Sequence, residues 1–399
     1  MNRHPTIHQT RRFWLNVQEC LEITLPSPDR RRLSRLRTAA RLGKPLPIQL
    51  VHYLEVLGSE LKYVNDVHPI NGLYGGSPAA TIAMVNHSTE QSLHSSGCIS
   101  EMAARFGGAL PTMTQLNTFE RSWVIYNLLQ ADMPVPPDLA SAAADYFMSC
   151  LGSRGASFTP GQLPDADNSA MVLYVLSALG YTFDPSCLLT YESETYFRCY
   201  DGERHPSVST NAHILEAFGK YVECRRSVPQ YQNAIAKTSA YLLGIQQQDG
   251  SWIDNWHASP YYGTACSVLA LGRFGVGDTR EALERAIAWV LRNQRDDGSW
   301  GVWCGTLEET AYALQILLVA GGAKDPVVIK QVARRGEYFL RKHLNASPSD
   351  AVHTPLWHGK ELYEPRRIVR AAVLSALYLC ATRLNTQLES KQSLTTCVA

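Results

Sequence analysis

The chain has 399 residues, room for two or three domains and a large buried core. Its 37 Lys plus Arg stand against 36 Asp plus Glu, a net charge of +1, which argues against a nucleic-acid binder that works by neutralising phosphates. No apolar run approaches the length of a membrane span, and the basic start lacks an apolar core before a small-residue cleavage site, so neither a membrane segment nor a signal peptide is expected.

In chain order, Arg30, Arg31, Arg32, Arg35 and Arg37 form a basic run that reads as a solvated helix face. Helical patterns follow at 47–58 and 77–85, the second with Ser77 before Pro78 as a helix start. A polar, glycine-containing stretch from His87 to Met113 suggests a boundary, with a smaller helical domain at 1–116 and a larger one at 117–399. Beyond it, apolar residues recur at three- and four-residue spacing over 168–180, 263–275, 285–294, 308–322 and 367–384, and several of these segments end at Gly. Strand-like alternation is scarce, so the fold class is all-α. The ten cysteines include no C-x-x-C pair and none closer than Cys187 and Cys199, which reads as buried thiols in the cytoplasm rather than disulfides or zinc ligands.

A repeat sharpens the architecture. Gln246, Asp249, Gly250, Ser251 and Trp252 recur 48 residues later as Gln294, Asp297, Gly298, Ser299 and Trp300, each set between two helices. Helical hairpins of that period must stack to bury their apolar faces, as a solenoid or closed into a double ring. The turn residues have structural jobs: Gly frees the backbone, Asp and Ser can cap the next helix, and Trp packs across the hairpin.

The chemistry is expected at Asp165 and Asp167, which flank Ala166 in a proline-led turn opening a strongly apolar helix. Asp is an ordinary cap there, but a dry surround and a neighbouring carboxylate would also hold one carboxyl protonated, as a general acid requires.

Taken together, the QxxDGSW repeats, the DADN turn and the stretches GLYGGSPAATIAMV, FERSWVIYNLL, YFRCYDGERHPSVSTNAHILEAF, WHASPYYGTA, GTLEETAYALQ and LWHGKELYEPRRIVRAAVLSALYL resemble the class II terpene cyclases. That family includes squalene–hopene cyclases and the microbial labdane- and drimane-type prenyl diphosphate cyclases. The resemblance implies an (α/α) double-ring barrel, the toroid shared with protein prenyltransferases, carrying a partial second helical domain. It implies cyclisation of geranylgeranyl or farnesyl diphosphate to a bicyclic diphosphate, begun by protonation and retaining the diphosphate.

By position, Asp167 would be the acid and Asp165 its partner, with Asn168 where the family's DxDD motif has a further Asp. Asn211 or His213, but not both, would orient the proton, because residues two apart face different sides of a helix. Trp256, Tyr261, Tyr262, Tyr312 and Trp357 are candidate walls for a carbocation, and Lys360 and Arg366 candidate diphosphate ligands. The resemblance also implies Mg²⁺ bound with the diphosphate, without naming metal-ligating residues, and it leaves a homodimer open. No DDxxD stretch is present, since Asp296 and Asp297 lie in a repeat turn, so ionisation of the diphosphate is not expected. Alternatives are a cyclase for another prenyl-bearing substrate, a degenerate ring that only binds, and a zinc prenyltransferase β subunit, whose Cys and His context is not found.

Overall fold

The structure is a computed structural model describing residues 30–395, apart from 47, 88–91, 114–115, 161, 204, 226–227, 321–325 and 348. It divides into two compact units between Thr112 and Met113. Among the described residues the regular elements are helices, apart from two two-residue strands, β1 Trp357–His358 and β2 Leu362–Tyr363, paired antiparallel.

In the first unit, α1 (Arg30–Arg41) packs on a 3-10 stretch, Ile48–Tyr63, which packs on α2 (Pro78–Val85); α3 (Ser92–Arg105) lies against α2. Leu54, Leu57, Leu61, Tyr74 and Met84 form its core. Ser77 caps α2, its Oγ accepting from the Ala80 N–H at 3.1 Å. Within the basic run Arg31 and Arg35 are exposed, while Arg37 donates to the Val56 carbonyl at 3.0 Å. The side chains of Arg30 and Arg32 lie outside the described residues.

The second unit is a closed double ring. Helices α4 (Asn117–Gln130), α6 (Ala166–Ala178), α7 (Val208–Cys224), α9 (Pro260–Phe274), α11 (Leu307–Ala320) and α13 (Arg366–Thr395) pack each on the next, and α13 returns to α4. Outside them, α5 (Pro137–Cys150) packs on α4 and α6, and the 3-10 turn Pro185–Tyr191 on α6 and α7. Then α8 (Pro229–Gly244) packs on α7 and α9, α10 (Thr279–Arg292) on α9 and α11, and α12 (Pro326–His343) on α11 and α13.

Sequence pattern sorts the layers. In α11 every residue from Leu307 to Leu318 is buried, the mark of a helix covered all round. In α10 only Ala282, Ala286, Ile287, Trp289 and Val290 are buried, a single stripe at helical spacing.

The repeat turns hold the layers together with the same bonds twice. Trp252 Nε1 donates to the Leu242 carbonyl and Trp300 Nε1 to the Val290 carbonyl, both at 2.8 Å, and both indoles are completely buried. Gln246 Nε2 reaches the Ala282 carbonyl of α10, and Gln294 Nε2 the Val332 carbonyl of α12, both at 2.9 Å. Each turn is thereby tied to the following outer helix. Gly250 and Gly298 have φ of +100° and +88°, and a Cβ there would meet the carbonyl oxygens of Arg285 and Arg335 at 2.5 and 2.6 Å. Asp249 and Asp297 accept from Ser251 and Ser299 within their own turns rather than capping the next helix, a role that falls to Ser259 for α9.

Candidate active site

The inner helices bring their first two turns together at one mouth of the ring. Asp167 of α6 lies beside His213 of α7, Trp123 of α4 beside Tyr262 of α9, and Glu308 of α11 beside Trp357, just ahead of α13. Six helix N-termini therefore point the positive ends of their dipoles toward the same region.

Asp165 opens α6. Its Oδ1 accepts from the Asn168 N–H at 2.7 Å, and the Asn168 side-chain amide donates to both of its oxygens, at 3.1 and 2.9 Å. Burial pushes the Asp165 carboxyl up to about 7; the Asn168 bonds oppose that shift and the Asp167 charge adds to it. With Asp165 closing the turn, Asp167 points away from it toward α7. Its Oδ1 lies 2.7 Å from His213 Nδ1, and its side chain keeps 13% exposure against 1% for His213. Burial disfavours the imidazolium, but the Asp167 carboxylate outweighs it and holds the His213 pKa well above the ordinary range. The other imidazole nitrogen, Nε2, is buried without a partner.

The start of α7 is fixed by groups that sequence inspection did not single out. Ser207 caps it, and buried Asp254 accepts from the Ser209 N–H at 2.9 Å and the Ser207 hydroxyl at 3.0 Å. An acid at a helix N-terminus is stabilised by the dipole and locks the rotation that aims His213. Glu203 accepts from the Cys199 N–H at 2.6 Å, and burial pushes its carboxyl to about 7, with the Asp167 charge contributing.

Several expectations need correction. Asn211 is not at the acid: its amide pins the loop before α7, accepting from the Phe197 N–H at 2.8 Å and donating to the Phe197 and Ser207 carbonyls. Two residues along the helix from His213, it faces another way. Asn168 bonds to Asp165 and not to Asp167, so it does not set the hydrogen bonding of Asp167 directly. Tyr261 faces the outer layer, its ring 4.5 Å from that of Trp289, because adjacent helical residues diverge by about 100°.

Tyr262 does face inward. It accepts from Trp123 Nε1 at 3.0 Å, and its ring lies 4.7 Å from Trp357 and 5.6 Å from Tyr312. Tyr312 and Trp357 both donate to Glu308 Oε1, at 3.1 and 2.7 Å, while Glu308 Oε2 is buried and unpartnered. Trp256 is half-buried beside Tyr200, its Nε1 without a partner. Lys360 is half-buried in the β1–β2 turn, and exposed Arg366 begins α13, 3.6 Å from Glu364.

Trp123 and Tyr126 were missed. Each is edge-on to the His213 ring, with centroids 5.3 and 5.7 Å away. Aromatics three apart in FERSWVIYNLL were the available signal. Between these rings, Tyr262, Tyr312, Cys266, Asn127 and Gln315 lies a cavity of about 10 Å³, room for one water.

The fold agrees with the comparisons. The squalene–hopene cyclase C-terminal domain matches residues 203–326. The chain is 38% identical to the solved ent-copalyl diphosphate synthase from Streptomyces platensis, with a TM-score of 0.81, covering 90% of this chain and 70% of that one. It belongs to the class II terpene cyclase family. The ent-copalyl diphosphate synthase of Streptomyces sp. (strain KO-3988) is 38% identical over 349 residues, covering 86% of this chain and 66% of that protein. The labda-7,13-dienyl diphosphate synthase of Streptomyces clavuligerus is 37% identical over 357 residues, covering 88% and 64%. The chain thus spans slightly less than two thirds of the length of these two curated relatives. No helix among the described residues is long and apolar enough to cross a membrane.

Proposed function

We propose that this class II cyclase protonates the terminal double bond of a linear prenyl diphosphate, geranylgeranyl or farnesyl, and cyclises it to a bicyclic product that keeps its diphosphate. The observation that supports this most is the Asp167–His213 pair, a carboxyl at the ring mouth bonded at 2.7 Å to a buried imidazole and bordered by aromatic rings. Asp167 would give its proton to the alkene carbon; the carboxylate left behind is stabilised by the His213 Nδ1–H. The cation formed at the tertiary carbon would lie against π faces, with Trp123, Tyr262, Tyr312 and Trp357 the nearest on offer. These rings are tied to one another by a hydrogen bond and tilted ring contacts, which hold them in place as charge develops. The cavity between His213 and the rings of Trp123, Tyr262 and Tyr312 is far too small for a prenyl chain, which supports a substrate bound at the mouth beside Asp167.

The diphosphate would be met by Arg366 and Lys360, near the start of α13. Mg²⁺ is proposed to accompany it as a counter-ion. Among the described residues no three His, Cys, Asp or Glu side chains gather to hold a metal, so a cage built from them alone does not fit. A carboxylate or two plus phosphate oxygens and water suits this ion better, and no step is assigned to it. A cytoplasmic setting is proposed, since prenyl diphosphates are water-soluble anions; a homodimer is left to a sizing experiment.

The test is incubation with geranylgeranyl and farnesyl diphosphates, followed by mass spectrometry with and without phosphatase. A bicyclic alcohol seen only after phosphatase supports the reading. Pyrophosphate released in step with substrate loss, giving hydrocarbon without phosphatase, would refute it, and conversion of neither diphosphate would favour a ring that only binds.

A further inference from the structure

We propose that Glu308 is the counter-charge of the aromatic wall: acting through Tyr312, Trp357 and the His257–Tyr262 stack, it makes those rings hold a cation. This rests on the proposed protonation by Asp167 and names the group that answers the charge it creates. Glu308 works through the rings and does not touch the substrate, so it is a positioning residue.

Its placement suits the task. In the ring of six inner helices α6 and α11 stand opposite each other, with α7 and α9 between them on one side and α4 and α13 on the other. Asp167 lies in the first turn of α6 and Glu308 in the first turn of α11. A proton delivered from one side therefore leaves its positive charge facing a carboxylate on the other. Tyr312 is one turn below Glu308 on the same face of α11 and lines the central cavity, so that face looks inward.

The bonding differs from that of the other buried acids. Glu216 Oε1 accepts from Tyr126 and Gln130, and its Oε2 from Tyr126. Asp254 and Glu309 likewise give both oxygens to hydroxyl or N–H donors of the scaffold. Glu308 is 2% exposed, and its partners converge on Oε1: the Tyr312 hydroxyl at 3.1 Å, Trp357 Nε1 at 2.7 Å and His257 Nε2 at 3.4 Å. His257 Nδ1 accepts from the Ser259 N–H at 3.1 Å, which puts the ring proton on Nε2, toward Glu308. Among the described residues of the second unit, Glu308 Oε2 is the one buried carboxylate oxygen without a hydrogen-bond partner. No acceptor stands beside Oε2 to take a carboxyl proton, and the positive end of the α11 dipole lies at its base. These are the surroundings of an anion.

Each contact ties that charge to a face the cation would meet. A hydrogen bond from an indole N–H or a phenol O–H to a carboxylate pushes electron density into the ring and strengthens its negative face. Trp357 and Tyr312 are bonded to Glu308 directly. Tyr262 is reached through His257, whose ring stacks on it with centroids 4.9 Å apart. The bonds are made at ring edges, which leaves the faces to the cation. In a site with little water the carboxylate also attracts the cation through space.

The test compares two ligands by calorimetry on the full chain carrying Asp167→Asn, which removes the acid's own carboxylate and its proton. One is a geranylgeranyl diphosphate analogue in which the carbon that becomes cationic is replaced by a protonated tertiary amine. The other is its saturated, uncharged carbon isostere. The amine should bind more tightly, and Glu308→Gln should cut that preference about tenfold while changing affinity for the isostere less than about twofold. Glu308→Asp, which keeps the charge, should recover part of the preference. No preference before Glu308→Gln, or an equal preference after it, overturns the proposal, whether or not the wild type cyclises any prenyl diphosphate. Equal loss of affinity for both ligands also overturns it, because it makes Glu308 a scaffold residue. If Glu308→Gln does not fold, as judged by its circular-dichroism melt, Tyr312→Phe frees one ring from the carboxylate and keeps its face. It should lower the preference at least about twofold, and an unchanged preference there overturns the proposal as well.

Discussion

Asp297 and Asp165 make nearly the same local bonds and behave in opposite ways. Asp297, in the second repeat turn, accepts from the Ser299 N–H at 3.0 Å and from its hydroxyl; Asp165, in the turn before α6, accepts from the Asn168 N–H at 2.7 Å and from its amide. Asp297 is exposed, and although burial acts against it, its Ser299 bonds prevail and keep its pKa below the ordinary value. Around Asp165 burial prevails, the Asp167 charge adds to it, and the carboxyl rises to about 7. Hydrogen bonds alone do not separate a scaffold acid from a reactive one. What separates them is how much solvent the rest of the ring removes.

The comparison can be broken most decisively at the acid. Asp167→Asn should lower cyclisation by at least about 10²–10⁴-fold, measured by product mass spectrometry, with a circular-dichroism melt close to wild type. If turnover survives, the reactive turn has been misassigned. On the scaffold side, Trp300→Ala should cost about 3–5 kcal/mol of stability in urea unfolding, because it empties a completely buried indole site and removes the indole bond to the Val290 carbonyl.

A pH series sharpens the contrast. Asp165, Glu203 and Glu216 have folded pKa values near 7, above their unfolded values, so the folded chain binds more protons than the unfolded one between about pH 4 and 7. His213 adds in the same direction, since its raised pKa gives stability that is full below its unfolded value and lost as pH rises through the folded one. Stability should therefore fall from pH 5 to pH 8. Glu216→Gln should flatten that fall, gaining on the order of 2 kcal/mol relative to wild type at pH 8; an unchanged slope would mean that burial does not raise this acid. The smallest effect is expected at Asp297→Asn, about 1 kcal/mol at pH 7 from weakened turn bonds, with no change in the pH dependence of turnover.

The sequence by itself determined the all-α class, the paired helical layers and the scaffold role of the repeat turns. Those features are local: helical spacing, Gly where φ is positive, and Gln, Asp, Ser and Trp at set offsets. It also made Asp165 and Asp167 stand out, because two acids at the start of an apolar helix conflict with burial. His213 and Asn211 could not be told apart from sequence, since helix rotation depends on Asp254, which is 41 residues beyond His213 and holds the α7 start. Tyr261 and Tyr262 were equally inseparable until the outer helix α10 took Trp289 to one of them. Glu216 was visible as an acid in an apolar helix, but its neighbours Tyr126, Tyr174 and Arg273 come from three other helices. Only closing the ring brings them within bonding distance, and only the ring removes the water that would otherwise leave its carboxyl ordinary.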